Sequence, residues 1–160
     1  MLSLSETIRD SIIDINTFLF AIWYHDIIYK PIRKDNEEKS SSFALKRLKA
    51  LNISEQKLRN IQNLIISTKK HDIILMENND NAFLLDIDLS ILGSDWYTYK
   101  TYIQNIRNEY AIYPDFMYTK GRKNVLKHFL ERKTLYFTKV FQDKFEEQAR
   151  QNLLKEIKIL

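Results

Sequence analysis

Ala21-Ile22-Trp23-Tyr24-His25-Asp26-Ile27-Ile28-Tyr29-Lys30-Pro31 sets an imidazole and a carboxylate side by side inside an apolar run. Pro31 ends the helix expected to carry them, because the residue before a proline is pushed out of the α region. In a helix running to about Ile28, His25 faces Ala21, Ile22, Ile28 and Tyr29. Asp26 faces Ile22, Trp23, Tyr29 and Lys30. Both polar groups then lie against apolar surface, where a carboxylate needs a partner, a proton or a metal. A plainer reading has His25 bonded to a backbone carbonyl and Asp26 capping the helix or paired to Lys30.

Outward from this stretch the chain reads as all-α. Its 160 residues include two Gly, two Pro and no Cys. So few breakers predict a single helical domain over residues 1–160. The lack of Cys removes disulfides and thiolate metal sites. A net charge of +4 is dispersed: 12 basic and 11 acidic residues through Asp80, then 13 and 10. That spread argues against a nucleic-acid partner. The longest apolar run, Phe18 to Tyr24, is too short for a bilayer, and Glu6, Arg9 and Asp10 do not fit a signal peptide. A cytoplasmic location without membrane contact is the expectation.

Ser3 or Ser5 opens a first helix to about Ile13, and Asp14 or Asn16 opens the second. Asp35 opens a third, with Glu37 and Glu38 in its first turn. Ser54 opens a fourth, striped by Leu58, Ile61, Leu64 and Ile65. After the polar loop Glu77–Asn81, a short helix spans Ala82 to Leu92 and stops at Gly93 in a left-handed conformation. Ser94 caps a long helix, Asp115 or Thr119 opens another after Pro114, and the last runs from about Thr138.

The short helix holds Asp86 and Asp88, about 200° apart. Asp88 shares a row with Leu84 and Leu92, Asp86 with Ala82 and Ser90. Asp88 is therefore expected on the more apolar face. Imidazole and carboxylate donors without thiolate suit a divalent metal ion: Mn, Mg, Fe, Ni or Zn.

AIWYHDIIY, DNEEKS (35–40), Ser67-Thr68 with His71, DIDLSILG (86–93), IRNEY (106–110), YPDFMYTKGR (113–122), FLERKTLYFT (129–138) and EEQARQNLLKEI (146–157) form an ordered set. With them the chain resembles the HD superfamily of metal-dependent phosphohydrolases, whose metal pattern is His, then His-Asp, then Asp. It looks most like a small branch described as predicted HD-superfamily phosphohydrolases, over nearly the whole chain. The resemblance implies an HD-like helical bundle with His25, Asp26 and Asp88 as metal ligands, Asp86 being the alternative to Asp88. It implies hydrolysis of a phosphate ester in a phosphorylated small molecule, a phosphomonoester or a nucleotide-like substrate, by metal-activated water. Glu37 either orients that water or stabilises its own helix. His71 adds a ligand, contacts phosphate, or is a surface residue; His128 reads as structural. Among Arg107, Arg122 and Arg132, Arg122 is ranked first as the phosphate grip, since Gly121 before it allows close approach. Relative to the family the chain lacks an upstream YHNxxH segment with the first ligand, so little phosphatase activity is expected. The alternative is a catalytically impaired HD-fold binding module contacting nucleotides or nucleic acid.

Overall fold

With almost no residue to interrupt it, the backbone closes its hydrogen bonds locally. The computed structural model describes residues 1–160, and they form eight α-helices, three short 3-10 turns and no strand. The fold is all-α. The chain divides into two compact units, residues 1–88 and 89–160. No helix is long and apolar enough to cross a membrane.

The first unit contains α1 (Leu2–Thr7), α2 (Ile15–Tyr24), α3 (Asn36–Leu48), α4 (Glu55–Ser67) and α5 (Asp80–Leu89), whose last residue belongs to the second. Asp14 caps α2, accepting from the Thr17 backbone and hydroxyl. Ser54 caps α4. The α4 stripe Leu58, Ile61, Leu64 and Ile65 is buried throughout and packs on both α2 and α3. Each such side chain contributes about 1.5–3 kcal/mol by leaving water. Asn52 turns the chain between α3 and α4 in a left-handed conformation, φ 53°, which asparagine tolerates better than most residues.

The second unit contains a 3-10 turn (Ser90–Gly93), α6 (Trp96–Glu109), α7 (Asp115–Glu131) and α8 (Lys139–Ile159). Gly93 is not left-handed. It is glycine because a Cβ there would stand 2.6 Å from the Phe145 Cβ. Asn152 of α8 donates to the Leu92 and Ser94 carbonyls, both at 2.8 Å, and holds the same turn. Asp95, rather than Ser94, caps α6 through the Tyr97 and Thr98 amides. The connection after α7 is tied to α8. Glu146 accepts from the Leu135 and Tyr136 amides, while Arg150 donates to the Leu130, Arg132 and Lys133 carbonyls.

Candidate functional site

His25 does not lie within a helix that runs to Ile28. α2 ends at Tyr24, His25 is its C-terminal cap, and Asp26 sits in the turn beyond. The His25 amide still donates to the Ala21 carbonyl, and Nδ1 stands 2.8 Å from the Ile22 carbonyl. A carbonyl only accepts, so Nδ1 carries the proton and Nε2 faces the other way. Nε2 meets Asp26 Oδ2 at 3.6 Å and Asp88 Oδ1 at 3.5 Å. An Nε2 lone pair aimed at two carboxylates would be repelled, so that nitrogen calls for a proton or another cation. Burial opposes its charging, but the hydrogen bond and charge of Asp88, with the charge of Asp26, prevail and push His25 up to about 9.

Asp88 is the centre of the group. Its second oxygen, Oδ2, lies 3.0 Å from His71 Nε2. Burial would raise its pKa, yet the hydrogen bonds from His25 and His71 hold the carboxyl well below the usual range. Asp26 is displaced upward, first by burial and then by the Asp88 charge, against the pull of His25. His71 follows the end of α4 and has a left-handed backbone, φ 52°, a conformation that costs a non-glycine residue about 1–2 kcal/mol. The structure thus brings His25, Asp26 and Asp88 together as the sequence paired them, and adds His71.

The reason given for Asp88 does not hold. Asp86 has no exposed surface, whereas the Asp88 side chain is 21% exposed. Residues 80–87 are buried without interruption, so α5 has no polar face by which one carboxylate could be told from the other. Glu37 lies in the first turn of α3, half-buried, and no hydrogen bond ties it to the four residues.

Arg122 lies in the second unit, where its Nε and one terminal nitrogen donate to Glu156 at 2.7 and 3.1 Å. That fork, assigned to phosphate from the sequence, is filled by a buried carboxylate. Tyr99 donates to the same carboxylate at 2.5 Å. Burial works against the Arg122 charge, but the Glu156 bond outweighs it and raises its pKa. Gly121 serves no close approach, since a Cβ there would meet nothing within 4 Å. Arg107 binds Asp115 and the Tyr110 and Tyr113 carbonyls, shaping the turn between α6 and α7. Arg132 stacks on Phe129, and His128 is exposed on α7.

Sequence reasoning missed the residues that hold the two loops. Asn36 accepts from the Lys30 amide at 3.1 Å and donates to the Lys30 carbonyl at 3.0 Å. Ser40 accepts from the Ile28 amide at 3.1 Å and donates to the Ile28 carbonyl at 3.2 Å. Asn81 accepts from the Ile74 and Leu75 amides and donates to Ser67. A signal existed: Asn36, Ser40, Ala44 and Leu48 share one row of α3, a buried stripe that begins polar. No group of three or more His, Cys, Asp or Glu side chains is arranged so that it could hold a metal ion. No protein-family model, curated protein or solved structure matches the chain.

Proposed function

We propose that the first unit carries a metal-dependent phosphohydrolase site built on His25, Asp26, His71 and Asp88. The observation that carries the reading is the convergence of two imidazole Nε2 atoms on Asp88, with the Asp26 carboxylate 3.6 Å from the His25 nitrogen. Imidazole and carboxylate are donor types that a divalent cation takes. The nitrogen–oxygen separations within the group are 3.0, 3.5 and 3.6 Å. The bond from His25 Nδ1 to the Ile22 carbonyl leaves Nε2 as the ligating nitrogen, the arrangement usual for metal-bound histidine.

A bound divalent ion supplies Lewis acidity toward a phosphate ester and an acidified water. The chain's own part is positional. His25 and Asp88 are held by helix ends, His71 by its loop, and Asp26 faces solvent with a half-exposed carboxylate. Glu37, which makes no hydrogen bond to the group, is the proposed acceptor of the water proton. The substrate proposed is a phosphorylated small molecule, which yields an alcohol and phosphate. A second reading, a helical binding module without hydrolysis, draws on one observation: the imidazoles already contact the Asp88 carboxylate directly.

Calorimetric titration with Mn²⁺ separates the two. Wild-type binding that disappears in Asp88→Ala and His25→Ala, with hydrolysis of a general phosphate ester following the same order, supports the site. Equal Mn²⁺ uptake by wild type and Asp88→Ala, or none by either, would leave the binding module.

A further inference from the structure

Each arm of the His-Asp cluster is fastened just beyond its functional residues. Past Asp26, the chain runs through a turn closed by the Ile27 amide on the Tyr24 carbonyl. It then meets Ser40 at Ile28 and Asn36 at Lys30. The two side chains lie four residues apart on α3, and they address both the N–H and the C=O of alternate residues. They thus stand in for the missing partner strand. Both are buried, Asn36 at 5% exposure and Ser40 at none.

Past His71, the Asp72 amide returns to the Ser67 carbonyl, and Asn81 then takes the Ile74 and Leu75 amides at 2.8 and 3.0 Å. Asn81 is itself fixed by donating to the Ser67 hydroxyl at 2.7 Å, which donates to the Leu64 carbonyl at 2.7 Å. Both loops are short chains held at two ends, one end a helix terminus and the other a buried amide. His71 keeps its left-handed backbone between such a pair of fixed points.

We infer that Asn36 with Ser40, and Asn81 with Ser67, are positioning residues that set Asp26 and His71 against His25 and Asp88. The inference rests on the metal reading above for its consequence, and on the loops alone for its geometry. Buried polar groups that serve only stability would affect the whole unit alike. These two clamps should act separately, each on its own arm.

The test uses the full chain and four variants: Ser40→Ala, Asn36→Ala, Ser67→Ala and Asn81→Ala. The serine changes remove one hydroxyl each and stand in should an asparagine variant fail to fold. Mn²⁺ affinity is measured by calorimetry, and the imidazole nitrogens are followed by ¹⁵N NMR in metal-free protein. Loosened support of metal ligands commonly weakens binding by about 10–100-fold, and each folded variant should lose about tenfold or more. In the metal-free spectra, the His25 signals should move in the Asn36 and Ser40 variants and the His71 signals in the Asn81 and Ser67 variants. Signals that stay in place in all folded variants, or that move alike in all four, would overturn the inference. If wild type takes up no Mn²⁺ the metal reading falls, while the crossed pattern of imidazole shifts still decides the clamps.

Discussion

Glu156→Gln is the sharpest single test of the second unit. The Glu156 carboxylate has no exposed surface and the Arg122 side chain is 10% exposed. Two hydrogen bonds from the guanidinium and one from the Tyr99 hydroxyl end on that carboxylate. The substitution keeps the shape and leaves an acceptor for Tyr99, but it strands a buried cation. Breaking a buried pair from one side costs about 3–5 kcal/mol. At roughly 2–4 °C per kcal/mol for a chain of this size, the midpoint should fall by roughly 10 °C in a thermal melt followed by circular dichroism. Urea titration should show the same loss. Replacing the whole group by apolar residues, Arg122→Met with Glu156→Leu and Tyr99→Phe, removes charge and hydroxyl together and should recover most of it. If Glu156→Gln melts within about 1 °C of wild type, the guanidinium is solvated some other way and the internal role given to Arg122 is wrong. If the triple variant instead lost hydrolysis of a phosphate ester while keeping its midpoint, Arg122 would return as a substrate contact.

Gly121→Ala should stabilise the protein by about 0.5–1 kcal/mol in urea titration, because it replaces a glycine inside α7 with nothing in the way of the new methyl. Gly93→Ala should do the reverse, losing about 1–3 kcal/mol as its methyl meets Phe145; a neutral result there would mean that α8 shifts freely against the turn. His71→Ala should weaken Mn²⁺ binding by about tenfold or more in calorimetry, and unchanged affinity would remove His71 from the site. Nucleic-acid binding in a filter assay should be weak and salt-sensitive, since few phosphates can be neutralised at once by dispersed charge; a tight complex at physiological salt would favour the binding module.

The α4 stripe and most helix starts were legible, because burial of a repeating apolar face depends on local spacing alone. α4 is the clear case: its four stripe residues and its Ser54 cap are where the sequence puts them. The His25-Asp26 doublet was legible as a pair in need of partners, since adjacent polar residues in an apolar run need an explanation. The choice between Asp86 and Asp88 was not. It rested on one helix having one apolar face, and α5 is buried on all sides over residues 80–87. The Glu156 partner of Arg122 was not legible because it lies 34 residues away on α8, beyond any local pattern. His71 was left open because its contact with Asp88 depends on a left-handed residue and a loop path that Asn81 sets.

The latch formed by Glu146 and Arg150 has a consequence for the order in which the second unit acquires its shape. The path of residues 130–136 is read off by side chains about two and three turns into α8, so those residues have no template until α8 exists. During synthesis the connection must wait for a helix still to be made. In the finished protein, the Leu135 and Tyr136 amides should exchange with solvent only as often as α8 lets go, which makes two loop protons the reporters of a helix ten residues downstream.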